Sequence, residues 1–164
     1  VNGVPFALNS TPTAGHRYDV LICQAPGLQR TFYQDSELTK LLSPAEADSP
    51  NHAWGQHSHP HPNDGKPVGG RLKGYLFIPS KGTRRVFLRS IGNVHLEIGG
   101  KVLYRRWSGL EWVVVLEREM QFTEEGWYPI TIEFFTGAQN IPLELSIESR
   151  DSSVHIITDR ELCH

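Results

Sequence analysis

Apolar and polar residues alternate one for one along Val94-His95-Leu96-Glu97-Ile98, a period that buries one face of an extended strand and suits no helix. Gly99-Gly100 follows, then Lys101-Val102-Leu103-Tyr104, so two strands meet at two residues free to take positive φ: a tight hairpin is expected. The same period runs through 84–89 with Val86 and Leu88 inward, 112–117, 128–135 with Ile130, Ile132 and Phe134 on one face, 143–148 and 155–158. Leu143, Leu145 and Ile147 are expected to face those core residues, with Glu144, Ser146 and Glu148 outward. Helical periodicity is nearly absent. Only "DSELTKLL" (35–42), with Ser36 as a cap and Pro44 as a stop, predicts a short helix of about two turns. Many short strands with frequent turn signals predict an all-β chain, a sandwich or a barrel.

The segment 43–70 departs from this pattern. Its 28 residues hold five prolines and four glycines, which predicts one long surface excursion, and loops of this length in a compact domain tend to carry function or to be disordered.

A chain of 164 residues is long enough for one domain with a real core and short for two. A formal net charge of −2, with Arg84-Arg85 and Arg105-Arg106 the only basic pairs, gives no polyanion-binding surface; nucleic acid is not expected as a partner, and the pairs read as decoration of a solvated strand face or edge. No run of 18 apolar residues and no signal-peptide pattern occurs, so membrane attachment is expected only through the rest of a parent protein. The Gly/Pro/Thr-rich opening resembles an inter-domain linker, and a fragment of a larger protein is expected, with residues 1–22 a leader, the end of a preceding module or a first strand, and 23–164 the domain itself.

Cys23 and Cys163 have no partners at metal-ligand spacing. In a sandwich whose first and last strands are neighbours their sulfurs can meet, a closure that stabilises by at most roughly 5 kcal/mol; two free buried thiols are the alternative. Asn9-Ser10-Thr11 is a glycosylation sequon, in keeping with an extracellular protein, secreted or the ectodomain of a membrane protein.

"PGLQRTFYQ", "GYLFIPSKGTRRVFLRSIGNVHLEIGGKV" and "TEEGWYPITIEFFTGAQNIPLELSI" resemble, in order, the three best-marked parts of the PA-14 domain, named for the anthrax toxin protective antigen. The resemblance spans roughly 27–157 and implies an antiparallel two-sheet β-sandwich, a module found in toxins, glycosidases, yeast adhesins and ectodomains such as fibrocystin. In sugar-binding members the turn after the central strand reads Ser-Asp-Asp-Gly, and its two aspartates hold a calcium ion that grips sugar hydroxyls. Here the same register reads Ser90-Ile91-Gly92-Asn93, and Gly99 replaces the aspartate often found before the hairpin glycine. Calcium takes six to eight hard oxygens, usually including carboxylates. The turn is therefore expected to be structural, and no cofactor is expected.

His57, His59 and His61 stand at H-x-H-x-H spacing, with His52 and Asp64 nearby, so three imidazoles of an extended segment can converge on zinc or copper. No strand pairing or supporting partner is evident for the rings, and no metal site is expected. Trp54 and Trp107 are the aromatics least explained by alternation; an indole can stack on a sugar, anchor a protein contact or cover the sandwich rim. The candidate binding surface is thus Trp54, His57, His59, His61 and Trp107 with the rim around Ser90 and Asn93. No nucleophile, metalloprotease, phosphate-loop or dinucleotide motif is present, and the outward glutamates do not predict the facing pair that a glycosidase needs, so no enzyme is expected. The resemblance implies a non-catalytic adhesion, recognition or spacer module that meets a protein or glycan on a cell surface or matrix. The alternatives are a carbohydrate-binding module with a calcium-independent or non-standard site, and an auxiliary domain of a glycosidase.

Overall fold

The computed structural model describes residues 25–48, 67–107, 113–137 and 143–164. They form eleven strands: β1 (Leu28–Tyr33), β2 (Leu41–Asp48), β3 (Val68–Ile78), β4 (Gly82–Ile91), β5 (Asn93–Ile98), β6 (Lys101–Arg106), β7 (Val113–Phe122), β8 (Gly126–Thr136), β9 (Glu144–Glu148), β10 (Val154–Ile156) and β11 (Leu162–Cys163), the last preceded by a 3-10 turn at Asp159–Glu161. One sheet runs β2-β1-β3-β8-β5-β6, with β11 sharing the β1 side of β3; the other runs β10-β9-β4-β7. Every pairing is antiparallel, giving the two-sheet sandwich that alternation and resemblance predict.

The core follows the two-residue period. Leu72 and Leu76 of β3, Leu96 and Ile98 of β5 and Ile130, Ile132 and Phe134 of β8 are buried from one sheet, and Val86, Leu88, Leu116, Phe122, Leu145 and Ile147 from the other. Each such side chain contributes on the order of 2 kcal/mol by leaving water. Leu145 and Ile147 of β9 belong to the opposite sheet from Ile130, Ile132 and Phe134, so the two rows face each other across the sandwich, and Leu143, buried just before β9, joins the core. The Gly99-Gly100 hairpin has both glycines at positive φ, 60° and 75°, as its two-residue length requires.

Several expectations need correction. Residues 35–42 form no helix: 34–40 are a turn and Leu41 opens β2. The Asp35 carboxylate accepts from the Thr39 and Lys40 amides at 3.0 and 2.9 Å and from the Thr39 hydroxyl, which satisfies amides that a helix would have used. Leu38 takes φ 55° and buries its side chain, which a helical backbone would not permit here. The excursion is shorter than expected, because 41–48 and 68–70 are strand. Pro44 enters β2 because that strand is an edge and the proline falls in a bulge between the pairs Phe32↔Ser43 and Arg30↔Glu46. Ser146 is buried, standing between its register partners Phe87 and Ile156 on the outer face. Arg84, read as solvated, lies in the inward row of β4 and is buried, while Arg85 beside it points out to Glu117 and Glu148.

Candidate functional site

The inward row of β4 reads Arg84, Val86, Leu88, Ser90: apolar in the middle and polar at both ends. Ser90 marks the end of the sandwich where β1, β4, β6 and β8 finish and β3, β5 and β7 begin. Gly92, at φ 92°, turns the chain between Ile91 and Asn93, a backbone state that favours glycine. The turn is tight enough to carry Ser90 and Asn93 inward. Ser90 is fully buried and Asn93 nearly so, and among the described residues neither Ser90 Oγ nor Asn93 Oδ1 has a hydrogen-bond partner. Buried oxygens of this kind are costly, on the order of 1–3 kcal/mol each, and these two stand on either side of one turn.

Trp107 follows β6 directly. The pair Val94↔Arg106 puts it level with Asn93 on the neighbouring strand, and its indole Nε1 donates to the Ser36 carbonyl at 3.2 Å. The half-buried indole thereby ties the end of β6 to the 34–40 turn. That turn is held from below by Leu38, which packs against Gly69 at the start of β3. Hydrogen bonds from the Thr39 hydroxyl and the Lys40 amide hold the Asp35 carboxyl below the usual carboxylate range, so this acid is ionised but already spent on its own turn.

The structure therefore gathers Ser90, Asn93 and Trp107 at one end of the fold. Trp54, His57, His59, His61, Asn9 and Cys23 lie outside the described residues. Cys163 is fully buried on β11 and is not a free thiol. The β4–β5 turn offers a hydroxyl, a carboxamide oxygen and backbone carbonyls, and among the described residues no group of three or more His, Cys, Asp or Glu side chains converges as metal ligands. These donors do not fit the charged oxygen shell that calcium takes.

No protein-family model and no curated protein matches the chain. Solved structures do. An anti-sigma factor domain-containing protein from Clostridium clariflavum superposes with a TM-score of 0.68 at 18% identity, over 84% of this chain and 46% of that one. The epithelial adhesin 9 A domain from Candida glabrata, in complex with Galβ1-3GlcNAc, gives 0.59 at 12% identity over 85% and 88%. A PA14 sugar-binding domain from an RTX adhesin gives 0.50 at 15% identity over 76% and 60%. The fold is PA14-like. The chain spans about half the length of the anti-sigma factor domain-containing proteins it matches, 48% and 46%.

Sequence reasoning placed the PA14-like turn but missed its burial, since Ser90 and Asn93 looked like rim residues. The signal was available: Ser90 continues the inward register of Val86 and Leu88. By the same count Arg84 belonged inside, at the opposite end.

Proposed function

We propose that this chain is a non-catalytic recognition module of a larger extracellular or surface protein, meeting a glycan or a protein at the end of the sandwich that carries the β4–β5 turn. The observation that carries this reading is the pair of buried, unpartnered oxygens of Ser90 and Asn93 beside Trp107, in a PA14-like fold. Trp54, His57, His59 and His61 would join that surface from the 49–66 segment. Two neighbours in fold, the sugar-binding domain of the RTX adhesin and the adhesin in complex with Galβ1-3GlcNAc, favour a glycan as the ligand. Recognition here would use stacking on indole rings and neutral oxygens, because the turn lacks the aspartates of calcium-dependent relatives.

The domain would run over 23–164, with 1–22 a leader or the end of a preceding module, and Asn9 a glycosylation site. Cys23 would pair with Cys163. In support, residues 25–27 run antiparallel to 162–164, with the Ala25 and His164 amides donating to each other's carbonyls at 3.2 and 3.1 Å and Gly27 N donating to the Leu162 carbonyl at 3.0 Å. That ladder brings the backbone two residues from Cys23 alongside Cys163.

A glycan array probed with the multivalent chain, with calcium and with chelator, tests the reading. Binding that survives chelation and falls with Trp107→Ala is the expected result. Binding lost on chelation would overturn the calcium-independent site, and silence under both conditions would overturn the glycan in favour of a protein partner.

A further inference from the structure

At the end of the sandwich opposite the β4–β5 turn, a cleft of about 300 Å³ opens between the β3–β4 and β9–β10 turns, walled in part by Phe77, Pro79 and Ile147. Arg84 lines it and is 5% exposed. Its guanidinium donates from Nη1 to the Glu148 carbonyl at 3.1 Å and from Nη2 to the Ser80 carbonyl and hydroxyl at 3.2 and 2.6 Å, while Nε is buried without a partner among the described residues. Every one of those acceptors is neutral. No carboxylate pairs with Arg84 among the described residues, because Arg85 engages both oxygens of the nearby Glu148 side chain at 3.2 and 3.0 Å. The Glu148 carboxylate is near enough to feel the Arg84 charge, but it hydrogen-bonds to Arg85 and not to Arg84, and a buried guanidinium with no direct ionic partner among the described residues is, in a cleft, the chemistry that an anionic ligand completes.

The facing wall is also ordered for a ligand. His155 Nε2 meets Glu161 Oε1 at 2.6 Å, and Nδ1 meets Ser149 Oγ at 2.9 Å. The second oxygen of Glu161 accepts from the Thr158 amide and hydroxyl at 3.0 and 3.1 Å, which fixes the carboxylate. When the imidazole is neutral, Nε2 donates to the Glu161 carboxylate and Nδ1 accepts from the Ser149 hydroxyl; when it is protonated, Nδ1 donates to Ser149 Oγ. In either state Ser149 Oγ has a lone pair left for a donor in the cleft. Arg150, exposed at the lip, adds a second cation.

A cation pair, a hydroxyl acceptor and an aromatic wall in a space at the small end of ligand pockets match one ligand class. We propose that this cleft binds a sugar unit bearing a carboxylate, a hexuronate, with the carboxylate toward Arg84 and Arg150, a ring hydroxyl donating to Ser149 and the ring against Phe77. The site does not depend on the rim at the other end of the fold.

Titration of the ¹⁵N-labelled chain with sodium glucuronate, glucose and sodium acetate tests it. Glucuronate is expected to shift amides in 77–84 and 147–161 with an affinity of about millimolar, with glucose and acetate at least about tenfold weaker. Arg150→Gln and Ser149→Ala, both on a surface turn, should each weaken glucuronate about fivefold with the unliganded spectrum preserved. Glucose or acetate matching glucuronate, variants that bind as the parent does, or no shift at the cleft would overturn the proposal. Shifts confined to the β4–β5 turn would also overturn it while leaving the rim reading standing.

Discussion

The ring of Phe134 lies over Gly70, its cross-strand partner, so closely that a Cβ on Gly70 would stand 2.0 Å from Phe134 Cζ. The glycine is what lets β3 and β8 bring a large aromatic into the core at the end of the sheet near the β4–β5 turn. Gly70→Ala should therefore destabilise by about 1–3 kcal/mol through overpacking, read as a lower urea midpoint. Combining it with Phe134→Leu should recover part of the loss. Additive losses in the double variant would show that the two side chains do not share this space.

Calcium at millimolar concentration is expected to leave the melting temperature unchanged. The turn at Ser90-Ile91-Gly92-Asn93 supplies no carboxylate, and a ligand that does not bind the native state cannot stabilise it. A rise of several degrees would reveal a metal site and remove the argument for neutral recognition at this end.

Three carboxylates are held below their usual range: Asp35 by the Thr39 hydroxyl and the Lys40 amide, Glu148 by the Arg85 guanidinium, and Asp151 by the Ser153 hydroxyl and amide. When the folded pKa is depressed, the unfolded chain binds protons first as the pH falls. The stabilisation is complete above the unfolded values near pH 4 and is lost as the pH drops through the folded ones. Stability should decline modestly as the pH falls below about 4, and Asp35→Asn should make that acid limb shallower. An identical acid limb in the variant would mean that the Asp35 turn is equally stable without its charge.

The sandwich was legible because its strands obey a strict two-residue period: Ile130, Ile132 and Phe134, or Val86 and Leu88, point inward wherever they are counted from. The turn at 34–40 was not, because "DSELTKLL" has good helix composition and its fate was decided by Asp35 bonding its own turn and by Leu38 finding a core position against Gly69. Tertiary contacts outweighed local propensity there. The position of the candidate site's residues was half legible. Ser90, Asn93 and Trp107 were named from sequence, yet the tie from Trp107 to Ser36 joins residues 71 apart in the chain, which no local pattern encodes. The chain from Ser149 through His155 to Glu161 is of the same kind, since it exists only once the β9–β10 turn brings three strand and turn ends together.

With Cys163 not a free thiol and residues 25–27 laddered to 162–164, alkylation of the unfolded, unreduced chain should label no cysteine. Reduction should lower stability by up to about 5 kcal/mol in the chain-entropy account, because the closed loop is nearly the whole domain. Labelling of both cysteines without reductant would refute the Cys23–Cys163 bond.

Trp107 separates a structural rim from a binding rim. Trp107→Phe keeps an aromatic face and deletes the hydrogen bond to the Ser36 carbonyl, so it should cost about 1 kcal/mol of stability and leave most glycan binding intact. Trp107→Ala removes the face as well and should reduce glycan binding at least about tenfold, the size of a stacking contact worth more than 1 kcal/mol. Val102, exposed on the β6 edge and close to the opposite hairpin, serves as the control: Val102→Ala should change neither. If both tryptophan variants lose stability equally and glycan binding follows stability alone, the indole is a strut between β6 and the 34–40 turn, and the ligand surface must be sought elsewhere on the fold.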